Sequence, residues 1–144
     1  MQNSTQSWLT ARWVAALFLL WNFAGIGAFV MQWTMDLTEL ARTDPYQAKT
    51  FAEMPSWAWA TYAVAVATGT LGALCLLLRR KWAILLSGIE VIAVLIQFGY
   101  TFFGTDLMEH KGLAETAPLP AAIILIAILQ FFYARWLAGK GVLN

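Results

Sequence analysis

Charge is scarce in this sequence. Only 12% of its residues are Asp, Glu, Lys or Arg, against about 25% in a typical soluble domain. Nine basic and eight acidic residues nearly cancel to a formal net charge of +1. No basic block is present that would grip nucleic acid. There is one cysteine, Cys75, inside an apolar run; it has no partner for an internal disulfide, so it reads as a small packing residue and leaves the redox compartment open. There is one histidine, His110, beside Glu109. A single imidazole cannot ligate a haem from both sides and falls short of the ligand set a zinc site uses, so neither metal nor cofactor is expected. The GTLG at 69–72 is not followed by GK[ST], which excludes a phosphate-binding loop. A nucleophile with a neighbouring base is also missing. These absences argue against an enzyme.

Apolar residues are what the chain has in excess. They make up 60% of its 144 residues, and the mean hydropathy is +0.65. That is too apolar for water and reads as one integral membrane domain over residues 1–144. A membrane helix needs about 20 mainly apolar residues. Four runs qualify, at about 12–33, 57–78, 82–103 and 119–137. In lipid each run must satisfy its own backbone hydrogen bonds, so each is expected to be a helix. No segment shows the period-two alternation of a membrane barrel. The expected fold is therefore all-α, a four-helix transmembrane bundle. The first run is longer than the 7–15-residue core of a signal peptide and ends at a tryptophan, so it is read as a retained span.

Orientation follows from lysine and arginine. With four spans, Arg12, Arg79, Arg80, Lys81, Arg135 and Lys140 share one side, and Arg42, Lys49 and Lys111 the other. Every acid except Glu90 lies on the second side. Both termini are therefore expected in the cytoplasm, with a tight RRK hairpin at 79–81. Seven tryptophans, Trp8, Trp13, Trp33, Trp57, Trp59, Trp82 and Trp136, fall near expected bilayer interfaces, and Trp21 sits at mid-depth. In the first outer loop, Asp44-Pro45 is a helix-start signal. It predicts a short interfacial helix over Pro45 to Met54, ending before Pro55. The tetrapeptides DLTE at 36 and DLME at 106 recur at the 70-residue offset of the first and third helices, a hint of a duplicated helical hairpin.

The residue that breaks the apolar pattern is Glu90, an acid in the middle of the third run. Helical neighbours on one face recur at three and four residues. Ser87, Glu90, Val94, Gln97 and Thr101 form such a face on the third helix. The first helix aligns Asn22, Gly25, Phe29, Gln32 and Asp36; the second aligns Thr61, Ala65, Thr68, Gly72 and Cys75; the fourth offers Gln130. Polar faces turn away from lipid. At about 1.5 Å per residue, Glu90 lies about 12 Å from the cytoplasmic end of its helix, Asn22 and Thr68 about 15 Å, and Gln130 about 10 Å. The expectation is a polar cluster at that level, centred on Glu90 with Asn22, Gln130 and Thr68; in a carrier Gln97, further along the face of Glu90, would be another polar partner of the site. A charged carboxylate there costs at least about 2.5–3.5 kcal/mol. No lysine or arginine is within reach, so the acid is expected to be neutral and hydrogen-bonded to Asn22 or Gln130, or to meet water from the cytoplasmic side. Gly25, Gly27, Gly69, Gly72 and Gly88 are expected at close helix contacts.

The W-N-x-x-G of the first helix, GTLGALCLLLRRKWA across the hairpin and QFGYTFF in the third helix resemble a group of small bacterial inner-membrane proteins labelled "sugar transporter", and the layout is similar to that of DoxX-type proteins. The resemblance spans roughly residues 12–140. It implies a multi-pass protein of the bacterial inner membrane and carries no catalytic residues with it. Small multidrug-resistance transporters also have four spans, but their functional glutamate is in the first helix, where this chain has Asn22. A membrane enzyme, for example a quinone-linked one, is the third and weakest reading, since the residues for it are missing; two other functions compete ahead of it. One is a small-solute or proton-linked carrier working through Glu90, with a homo-oligomer expected if the solute is as large as a sugar. The other is a non-catalytic membrane accessory or scaffold protein. The lipid bilayer is the expected partner in both.

Overall fold

The computed structural model of the chain describes residues 2–103 and 118–143, and the side chains from residue 9 onwards. Among the described residues six helices follow one another: α1 (Gln2–Thr34), α2 (Leu37–Thr43), α3 (Pro45–Glu53), α4 (Ser56–Leu77), α5 (Trp82–Phe103) and α6 (Pro118–Gly139). The apolar part of α1, Leu9–Thr34, and the whole of α4, α5 and α6 are long and apolar enough to cross a bilayer. Each of the last three has 22 residues, about 33 Å of helix, which matches a hydrocarbon core of about 30 Å. Much of their apolar surface faces outward, including Trp13, Leu17, Trp82 and Ile92, as expected where the solvent is lipid.

The boundaries have local causes. α4 stops where Arg79 enters the left-handed region at φ 60°. The Arg80 amide then donates to the Cys75 carbonyl at 2.8 Å, a Schellman closure. α6 ends the same way, with Gly141 at φ 76° and the Val142 amide donating to the Leu137 carbonyl at 3.0 Å. Two features depart from the expected plan. α1 continues toward the N-terminus to Gln2, well before the apolar run. Asp36 does not extend the polar face of α1, which ends at Thr34; it caps α2 instead, accepting from the Thr38 and Glu39 amides at 2.9 and 3.3 Å. The D-x-x-E at 36–39 is a capping-box pattern that signals this start. α3 forms as expected, with Asp44 accepting from the Gln47 amide at 3.0 Å and Pro45 in the first turn.

α4 packs against α1 and α5, and α5 packs against α6. α1 and α6 approach less closely and are bridged by side chains, notably Asn22 to Gln130 and Phe18 to Tyr133. We call the end of the bundle carrying residues 79–81 the hairpin end. There, Leu76, Leu137, Val142 and Leu143 pack with alanines of α1, α5 and α6 into a closed core. At the opposite, α2–α3 end, Phe29, Trp33, Trp59 and Tyr62 pack ring to ring, and Phe51 of α3 reaches Trp59 with centroids 6.2 Å apart. Trp59 is therefore a packing residue rather than a plain interface anchor. His110, Glu109 and the second Asp-Leu-x-Glu lie outside the described residues.

Candidate functional site

The site is built on two missing side chains. Gly69 and Gly72 face inward from α4 and are buried. A methyl group on Gly69 would overlap Asn22 Oδ1 of α1 and come within 2.6 Å of Cδ and 2.7 Å of Oε2 of Glu90 on α5. A methyl on Gly72 would come within 2.8 Å of Ser87 Oγ and 3.0 Å of Gln130 Nε2. Polar side chains from the other three spanning helices thus fill the two notches that glycine leaves in α4. They are nearly dry: Asn22 is 5% exposed, Ser87 0%, Glu90 6% and Gln130 1%.

Gln130 is the hub. Its Oε1 accepts from Asn22 Nδ2 at 3.0 Å, and its Nε2 donates to the Gly69 carbonyl at 3.1 Å and to Ser87 Oγ at 2.9 Å. One amide of α6 therefore bonds to α1, α4 and α5. Asn22 Nδ2 also donates to the Phe18 carbonyl at 2.7 Å. Both bonds of Asn22 need its NH₂ group, so the orientation of the amide is set by the network. Its oxygen is left facing the Gly69 notch, where Glu90 Oε2 also lies. Glu90 Oε2 is buried and has no hydrogen-bond partner. Two oxygens with acceptor character therefore border one notch, with no donor between them.

The expected cluster is met in part. Asn22, Glu90 and Gln130 come together at one level. Thr68 does not join them: its hydroxyl donates to the Val64 carbonyl of its own helix at 2.7 Å. The contribution of α4 is the Gly69 carbonyl, left accessible by the missing side chain. Gln97 sits two turns from Glu90, toward the α2–α3 end. Its Oε1 is buried without a partner, and it is not part of the hydrogen-bonded group. Ser87 belongs to the site, although the helical stripe named it without a role. Its three-residue spacing from Glu90 was the available signal. Among the glycines, Gly88 lies against Phe131 and Gly25 makes ordinary contact with Val66. Gly27 has nothing within 4 Å of where its Cβ would be, so its expected helix contact is not there. Among the described residues, Glu90 has no companions of the kind that could hold a metal ion with it.

The arrangement separates two kinds of group. Gln130, Asn22 Nδ2 and Ser87 are mutually satisfied and hold helices together. Glu90 Oε2, and Gln97 Oε1 further along, are acceptors still open to a donor. A proton on Glu90 turned toward Asn22 Oδ1 would remove the charge and supply the missing donor at once. No family model, characterised protein or solved structure matches the chain.

Proposed function

We propose that the protein is a small carrier of the bacterial inner membrane in which Glu90 takes up and releases a proton. One observation carries this reading: a carboxyl oxygen, Glu90 Oε2, is buried without a partner beside a second oxygen, Asn22 Oδ1, while the amide network around it is complete. An acid serving only as packing glue would be bonded into that network, because measured interhelical hydrogen bonds average about 0.6 kcal/mol and an uncompensated buried carboxyl costs more than that. The size of the site supports a proton over a larger cargo. The Gly69 notch has no room for one added methyl group, so a solute as large as a sugar would need another conformation or a second copy of the chain. The basic residues 79–81 and 135–140 favour placing the hairpin end in the cytoplasm. In this reading the likeness to DoxX-type proteins concerns layout.

The test is Glu90→Gln in proteoliposomes carrying a pH-sensitive dye, with thermal unfolding measured in parallel. Gln keeps the shape and cannot ionise. Retained folding with loss of proton flux is the expected outcome. Flux equal to that of the parent chain removes the carrier reading. The accessory reading has its own support in Gln130, whose bonds to three other helices make it a structural clamp. A parent chain that moves no protons would leave that reading in place.

A further inference from the structure

Charge is divided unevenly between the ends of the bundle. Every Asp and Glu other than Glu90 falls within 36–53 or 106–115, so the stretches 1–35, 54–89 and 116–144 hold no carboxylate side chain. The hairpin end is built from those stretches, and it carries Arg12, Arg79, Arg80, Lys81, Arg135 and Lys140. Arg42 shows the contrast: at the α2–α3 end it finds an acid in its own chain, Glu39, at 3.2 Å.

One base of the hairpin end stands at the head of an aromatic ladder. Phe18 of α1 meets Tyr133 of α6, with ring centroids 6.1 Å apart. Tyr133 stacks on Trp136 at 5.7 Å, and the Lys140 ammonium sits 4.3 Å over the Trp136 ring. Steps of three and four residues keep positions 133, 136 and 140 on one side of the helix, so they form a single stripe that runs up to the end of α6. Phe18 and Tyr133 are half-buried, whereas Trp136 and Lys140 are exposed. The stripe therefore opens outward as it nears the helix end. Beside Lys140 the chain leaves room, because a Cβ on Gly139 or Gly141 would meet nothing within 4 Å. The ring face attracts the cation as a whole and leaves N–H donors on its outer side for an acceptor.

Two chemistries meet on this stripe. An aromatic face at the edge of a membrane span suits an acyl chain, and the cation at its head suits an anion. An anionic phospholipid joins both in one molecule, and basic sites between membrane helices bind such headgroups. We propose that the α1–α6 side of the hairpin end binds an anionic phospholipid, its phosphate held by Lys140 and an acyl chain laid against Trp136 and Tyr133. A zwitterionic lipid fits less well, since its own ammonium would enter a region with no carboxylate side chain to meet it. Arg12, Arg80, Lys81 and Arg135 add a diffuse attraction for the same lipid class, roughly fivefold in affinity for each base. The site uses none of the residues around Glu90 and is independent of the carrier reading.

Native mass spectrometry of the full chain in a neutral detergent tests the site. The probes are phosphatidylglycerol, phosphatidylcholine and inorganic phosphate, with phosphate added also as a competitor. The parent chain is expected to retain phosphatidylglycerol about tenfold better than phosphatidylcholine. Lys140→Gln should lose most of that preference, and more of it than Arg80→Gln, which removes diffuse attraction alone. Lys140→Arg should keep it, and Arg42→Gln at the other end should leave it unchanged. Trp136→Leu should weaken retention of both lipids. Equal retention of the two lipids by the parent chain overturns the proposal. A loss for Lys140→Gln no larger than that for Arg80→Gln also overturns it, leaving a diffuse basic surface. Displacement of phosphatidylglycerol by an equal concentration of inorganic phosphate does so too, since it marks an anion site with no lipid component. An unfolding midpoint shared by Lys140→Gln and the parent shows that the variant is folded, and the comparison of the two lipids on the parent chain needs no variant.

Discussion

At Gly69 one hydrogen atom in place of a methyl group lets α1 and α5 bring Asn22 and Glu90 against α4. Gly69→Ala should therefore destabilise the bundle by about 1–3 kcal/mol, as overpacked cores do, and lower the midpoint of thermal unfolding in detergent. Gly27→Ala, where the added methyl meets nothing, should change that midpoint little and serves as the control. Gln130→Leu keeps bulk and removes three interhelical bonds. At about 0.6 kcal/mol each the loss is about 2 kcal/mol, and a midpoint equal to the parent's would refute the role of Gln130 as the hub. Asn22, Glu90 and Gln130 could be read from the sequence because helical spacing and depth place mid-span polar groups. Thr68 was misread because its side chain looks polar in composition, whereas a threonine hydroxyl can be satisfied by the preceding turn of its own helix. Gly69, immediately beside it, was legible as a close helix contact and is one; that its carbonyl also accepts from Gln130 has no signature until the opposing helices are known.

The long helices were legible to within a few residues at nearly every boundary, since an apolar run of bilayer length has one low-energy backbone form in lipid. The exception is the start of α1, where polar residues extend the helix beyond the span. Apolarity carries no information about that extension. The short helices depend on caps. α3 was legible from Asp44-Pro45, while α2 went unread because Asp36 fitted the polar periodicity of α1 equally well. Asp44→Ala removes the bond to the Gln47 amide and should cost α3 about 1 kcal/mol. The expected sign is faster hydrogen exchange over residues 45–53 with little change in global unfolding. Trp59→Ala removes the ring against which Phe51 packs. It should release α3 in the same measurement, and unchanged protection there would show that the aromatic contact does not hold the helix down.

On the scale of the whole molecule, four helices long and apolar enough to span a bilayer bring polar side chains together between two apolar core clusters. On the carrier reading, Glu90→Gln should abolish proton flux while leaving the unfolding midpoint close to the parent value, since Oε2 has no hydrogen bond to lose. A large fall in stability with the same loss of flux would instead mark Glu90 as a packing residue. The sequence by itself determined that the chain forms four apolar helices and that an acid is carried to mid-depth. These follow from local composition and the 3.6-residue period, which need no knowledge of neighbours. Tertiary structure alone decided that Gln130 and not Glu90 is bonded to the other helices, which side chains fill the room left by the glycines of α4, and that residues 142–143 fold back against the hairpin end. Each of these depends on which atoms meet across helices far apart in the chain, and a polar or missing side chain acquires its meaning only from the group that faces it.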